Sequence, residues 1–216
     1  MPVTRVLHAA GNYRELHPLA LHPAVDAIEA DTWVRFGELV AHHERPLGRL
    51  PLMVHPRGLR RALTDPVRFG ELVLAVEGCA ALVLDLRSWL GDPAPDVARA
   101  LLGLRDRSHI AVTCESWKMA DRLRAWLPGQ RVAYTVRSER DLRRYLTGRI
   151  TGAIPDPAPV AVRHTLLHSP GEVESLRRRA GHVAAWTVDD VDRAIELAGW
   201  GVDEIVSNRL QVLNSV

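Results

Sequence analysis

A chain of 216 residues with 28 basic and 26 acidic side chains carries a net charge of +2, which leaves no electrostatic footprint for nucleic acid. At 47% hydrophobic and 25% charged the composition is that of a soluble globular domain, and no stretch approaches the ~20 apolar residues of a membrane span. The N-terminus lacks a charged segment followed by an apolar one of signal-peptide length, and the two cysteines have no paired spacing, so a cytoplasmic protein with reduced thiols is expected.

In chain order, residues 4–9 read as a strand and 18–27 as a short helix. Residues 27–34 form an apolar, strand-like run, and 38–42 extend or double it after Gly37. The Pro/Gly-rich residues 45–58 read as a loop. Residues 66–76 suit a helix with Asp65 as N-cap ahead of a first-turn proline. Strands at 81–87, 109–114 and 131–135 then alternate with helices at 94–106, 116–127 and 138–146. A short strand at 148–154 and a proline-rich loop at 154–160 precede an extended piece at 161–166. A capped helix at 169–181, a strand at 182–187, a helix at 189–199 and a last strand at 203–207 complete the pattern.

Alternation of this kind over about 200 residues predicts one (β/α)8 barrel domain spanning 1–216, with an open parallel sheet as the other solution. No GxGxxG follows the first strand, which removes the main support for a dinucleotide-binding fold. Buried parallel strands are apolar, so polar residues near their C-terminal ends are the informative exceptions. They are His8, Glu29 and Asp31, His43 and Glu44, Asp85 and Arg87, Glu115, Trp186 and Asn208. Glu29 and Asp31 are two apart and project to one side of a strand. With Asp85 they make three carboxylates that would repel one another without a cation, and an all-oxygen set suits Mg²⁺ or Ca²⁺. For any single acid, an ion pair with an arginine is the plainer alternative. His8 and His43 are candidate proton donors and acceptors; if the strand continues, only one of His42 and His43 faces the axis.

Together these residues resemble the glycerophosphodiester phosphodiesterase family from Val6 to about Asn208. The family's His-Arg-Gly corresponds to His8-Ala9-Ala10-Gly11, and its Glu-x-Asp to Glu29-Ala30-Asp31. Its glycine, apolar run and His-Asp with a following leucine correspond to Gly37, His43-Glu44 and Leu47, a spacing that selects His43. Its Glu-x-Lys becomes Asp85-Leu86-Arg87. Its C-terminal motifs become Trp186-Thr187-Val188, Gly201-Val202-Asp203-Glu204-Ile205 and Ser207-Asn208.

The resemblance implies a TIM barrel with a reduced insertion after the second strand. It implies hydrolysis of a small-molecule glycerophosphodiester to an alcohol and glycerol 3-phosphate with one divalent metal, Mg²⁺ or Ca²⁺. Glu29, Asp31 and Asp85 would hold the metal, and His8 and His43 would be the acid/base pair. Arg87 would meet the phosphate or glycerol, and Trp186 would wall the glycerol carbons. The chain departs from the family at Ala9, where a phosphate-binding arginine is lost, and lacks the Pro-Glu-Asn-Thr motif; Arg14 is the candidate replacement cation. A non-catalytic ligand-binding or interaction barrel, and phosphodiester cyclisation at the same site, are the alternatives. The oligomeric state is open.

Overall fold

A computed structural model describes residues 2–46, 52–55, 58–61, 66–88, 91–147 and 157–216. Strand β1 (Thr4–Leu7) leads through two 3-10 turns into α1 (His17–Ala20), which ends well before the predicted residue 27 because the chain turns at His22 and Pro23. Strand β2 (Ala27–Arg35) then doubles back into β3 (Glu38–Ala41) through a two-residue hairpin, Phe36 and Gly37.

The run read as a loop instead contains strands β4 (Arg45–Pro46) and β5 (Leu52–His55), and β6 (Gly58–Arg61) starts at its end; the three join as a separate antiparallel sheet. Its prolines and glycines hid two four-residue pairing segments, and Pro46 sits on an edge strand, where no ladder donor is needed. Strand β7 (Val67–Arg68) pairs with β3, so helix α2 (Phe69–Val76) begins three residues later than the sequence suggests. Glu71 accepts from the Arg68 N–H at 2.9 Å and closes its first turn. The predicted cap Asp65 and the predicted strand at 148–154 lie outside the described residues, as does Leu47.

From β8 (Ala81–Leu86) onward strands and helices alternate. The helices are α3 (Ala94–Leu102), α4 (Trp117–Trp126), α5 (Glu139–Leu146), α6 (Pro170–Ala180), α7 (Val191–Gly199) and α8 (Leu210–Leu213). The strands between them are β9 (Ile110–Cys114), β10 (Arg131–Val136), β11 (Val160–Arg163), β12 (Val183–Trp186) and β13 (Glu204–Ser207). The starts of α5 and α6 follow the sequence reading: Ser138 and Ser169 accept from the N–H groups of Asp141 and Glu172.

The parallel strands β1, β2, β8, β9, β10, β11, β12 and β13 close on themselves, since β1 pairs with both β13 and β2. The fold is a closed eight-stranded (β/α) barrel. Two-residue alternation divides each strand between two cores. Ile28, Ala30, Leu82, Leu84 and Leu86 face the helices, while Val6, Ala27, Val83, Ala111 and Val206 meet on the axis. The axial positions that follow Ala27 in β2 and Val83 in β8 are Glu29, Asp31 and Asp85. Register places Asp31 beside Asp85 and Asp85 beside Thr113, so the chemistry-bearing residues share the upper layer of the barrel.

Candidate active site

The cavity at the C-terminal end of the strands has a volume of ≈ 240 Å³ and is lined by His8, Glu29, Asp85, Arg87, Thr113 and Trp186, among others. Barrels of this kind usually fill the axis with branched side chains. Here Ala161 and Ala184 line the opening and leave it empty of protein.

Glu29, Asp31 and Asp85 each offer an oxygen within 4.8 Å of the others. An ion with bonds of ~2.3–2.6 Å spans such a set. Burial pushes the Glu29 carboxyl well above its usual range, and Asp85 and Asp31 add to the effect, against the N–H of Ala9. That N–H donates to Glu29 Oε2 at 2.6 Å, while Oε1 is buried without a partner. An unsatisfied buried carboxylate oxygen beside two other acids is what a cation site leaves exposed when only protein atoms are counted.

The two aspartates are more fully engaged. Asp31 Oδ2 accepts from Asn12 Nδ2 at 2.8 Å and lies 3.1 Å from His43 Nδ1. Asp85 Oδ1 accepts from Thr113 at 2.8 Å. Burial raises the Asp85 carboxyl, and Arg87 and Thr113 oppose the rise. Arg87 reaches across both acids: its Nη2 lies 2.8 Å from Asp31 Oδ1 and 2.6 Å from Asp85 Oδ2. Its Nη1 lies 2.6 Å from Glu115. The trio therefore fits a hard divalent cation by donor type and spacing, and a cation and Arg87 would compete for two of its oxygens.

The histidines approach different acids of this cluster, His8 near Glu29 and His43 near Asp31. His8 follows β1, with Nε2 3.8 Å from Glu29 Oε2 and Nδ1 2.8 Å from Asn208 Oδ1. Asn208 Nδ2 donates to Asp189 at 2.7 Å, which orients its carbonyl toward His8 and puts the His8 proton on Nδ1. Nε2 is then the basic nitrogen. Asp189 also accepts from the Asn208 N–H and the Ser207 hydroxyl. Burial would raise its carboxyl, but these hydrogen bonds prevail and hold it low. The sequence reading placed Asp189 at the start of α7. The helix begins instead at Val191 with Asp190 as its cap, which frees Asp189 for this role.

His43 is largely exposed and turned onto Asp31, whereas His42 is buried and hydrogen-bonds the Glu44 backbone. Arg14 sits exposed on a 3-10 turn and is not part of the cavity wall. Asn12 was not anticipated from sequence. Its side chain grips Asp31 twice, donating to the carboxylate and accepting from the backbone N–H at 2.9 Å. A small polar residue four positions after His8 was the available signal.

No protein-family profile matches the sequence. No curated protein matches it either. Solved structures do. A glycerophosphodiester phosphodiesterase from Agrobacterium tumefaciens superimposes with a TM-score of 0.69 at 20% identity, over 99% of this chain and 100% of that one. The Thermotoga maritima enzyme of the same name gives 0.72 at 15% identity, over 99% and 98%. A phosphodiesterase from Oleispira antarctica, solved with the product sn-glycerol-3-phosphate, gives 0.73 at 15% identity, over 99% and 96%.

The fold is that of the glycerophosphodiester phosphodiesterases. The phosphodiesterase barrel is matched end to end, so the hairpin and the small sheet after β2 sit within a scaffold of ordinary length for these neighbours. Among the described residues no helix is long and apolar enough to cross a membrane.

Proposed function

We propose that the protein is a metal-dependent phosphoric diester hydrolase that cleaves glycerophosphodiesters to an alcohol and glycerol 3-phosphate. The observation that carries this reading is the buried, unpartnered Glu29 Oε1 within an all-carboxylate cluster flanked by two histidines. Glu29, Asp31 and Asp85 would hold the metal, Mg²⁺ or Ca²⁺. When bound, a divalent cation supplies neutralising charge to the phosphate oxygens.

The chain's own residues do the remaining work. The Asp189–Asn208 pair keeps His8 in one tautomer with Nε2 toward the cavity, so His8 can take or give a proton at that nitrogen. His43 donates through Nδ1 to Asp31 and keeps its Nε2 for the second transfer. Between them they deprotonate the nucleophile and protonate the departing alkoxide. Arg87, once released from the aspartates, would meet the phosphate, and Trp186 would cover the glycerol carbons. The small-molecule product held by the Oleispira antarctica neighbour supports a substrate of this size.

One observation favours a second reading, a binding barrel without turnover. Arg87 already neutralises Asp31 and Asp85 from within the chain. Incubating the purified protein with glycerophosphocholine, glycerophosphoethanolamine and a lysophospholipid, in Mg²⁺, Ca²⁺ or EDTA, and following products by phosphorus NMR separates the two. Metal-dependent release of glycerol 3-phosphate is expected. Absence of turnover with every metal sinks the hydrolase, and a cyclic phosphate product replaces hydrolysis by ring closure.

A further inference from the structure

Beside the axial cavity lies a second one, lined by Arg137, Arg163, His164, Thr165, Trp186 and Thr187. It shares Arg137, Trp186 and Thr187 with the first, so the two adjoin across a common wall. Among the described residues no acidic one lines it. Arg137 and Arg163 come from neighbouring parallel strands: Val136 is paired with Val162, and each arginine follows directly. The register thus places the two arginines side by side at the rim, where like charges repel unless an anion joins them.

Their available counter-charges are few. Arg137 pairs with Glu115 at 2.7 Å, but Glu115 is already held by Arg87 at 2.6 Å. Among the described residues the Arg163 side chain has neither an ion pair nor a hydrogen bond. Burial lowers the pKa of His164 beside it, and Arg193 and Arg163 lower it further. Its Nδ1 is buried and unpartnered. On the shared side, Trp186 Nε1 is also buried without a partner, as is Thr135 Oγ1 in the wall of the axial cavity.

We propose that this second cavity is an anion subsite that selects glycerophosphodiesters whose alcohol portion carries a further negative group, a carboxylate or a phosphate. Arg163 is its main determinant, with Arg137 shared between the subsite and the reaction centre. The choice of diester rests on the hydrolase reading; the anion site does not.

Glycerophosphoserine and glycerophosphoethanolamine differ by one carboxylate, and glycerophosphoinositol and its monophosphate differ by one phosphate. These two pairs distinguish the two sources of charge. A charge-assisted contact predicts a kcat/KM ~10-fold higher for the more anionic member of at least one pair. Arg163→Gln is expected to erase that ratio through KM while changing turnover of glycerophosphoethanolamine less than about two-fold. Equal rates within both pairs, or a uniform loss in the variant, overturns the proposal. If no diester is hydrolysed, the hydrolase reading has failed and the subsite is judged by calorimetry with pyrophosphate. Binding weakened ~10-fold by Arg163→Gln supports it, and unchanged or absent binding overturns it.

Discussion

Arg87 is the residue on which the site turns. It touches Asp31, Asp85 and Glu115 at once, so it stands where a second cation would have to compete. Removing it leaves three clustered carboxylates with less internal neutralisation. Arg87→Gln is therefore expected to tighten Mg²⁺ or Ca²⁺ binding about 10-fold by calorimetry while lowering turnover. Weaker metal binding in the variant would mean that Arg87 organises the acids rather than competing for them. Gly11 matters for a steric reason. A Cβ there would lie 2.6 Å from Ala30 Cβ and 3.1 Å from Glu29 O, against the backbone of the strand that carries Glu29 and Asp31. Gly11→Ala is expected to cost about 1–3 kcal/mol and to lower Tm, because neither neighbour can move without shifting β2. An unchanged melting temperature would show that the turn carrying Asn12 relaxes freely.

At the scale of elements, the β2–β3 hairpin is the device that brings His43 back over Asp31. Strand β2 alone ends beyond the barrel rim; the return through β3 places His43 Nδ1 3.1 Å from the carboxylate two layers below the turn. The hairpin loop needs positive φ at both central residues, as type I′ turns do. Phe36 has φ 54° and Gly37 φ 79°. Glycine adopts this region freely, but an exposed phenylalanine does so at a cost, offset in part by Arg35 stacked 5.7 Å from its ring centroid. Phe36→Asn is expected to raise stability by about 0.5 kcal/mol, seen as a higher urea midpoint with unchanged slope. A lower midpoint would assign the hairpin's stability to the Arg35–Phe36 contact.

For the whole molecule, closure of the barrel depends on the seam between β1 and β2, which share only two register pairs. Arg5 and Asp26 fasten its lower end through hydrogen bonds of 2.8–2.9 Å. The Arg5 guanidinium holds the Asp26 carboxyl below its usual value of 3.8, against partial burial. A carboxyl with a depressed folded pKa contributes stability above its unfolded pKa and loses it as pH falls through the folded one. The pair is partly solvated, so its worth is at most about 1 kcal/mol. The stability gap between the wild type and Asp26→Asn is therefore expected to be full at neutral pH and to close as pH falls below the usual carboxylate range. A gap independent of pH would place the effect in packing rather than charge.

The alternation of strand and helix was legible because periodicity is local: the apolar runs and the Ser138 and Ser169 caps could be read from adjacent residues, whereas closure into a barrel rather than an open sheet was implied by the family resemblance. The two-residue spacing of Glu29 and Asp31 likewise fixed that both face one way. The strand ladder after residue 45 was not legible, since pairing between short segments satisfies backbone groups that proline-rich composition conceals. Nor was the service of Asp189 to Asn208 and His8, because the same aspartate would also cap a helix one residue earlier.

Sequence by itself determined the alternation of strand and helix, and the side of each strand on which the polar residues stand, because both follow from repeat distances along the chain. Only the tertiary structure decided that Arg87 lies across Asp31 and Asp85, that Asn12 holds Asp31, and that Arg137 and Arg163 stand side by side at the rim. In these arrangements Arg87 and Asp31 are 56 positions apart in the chain, Asn12 and Asp31 are 19 apart, and the two arginines come from neighbouring strands. Barrel closure and strand register set them, and no local pattern in the chain encodes either.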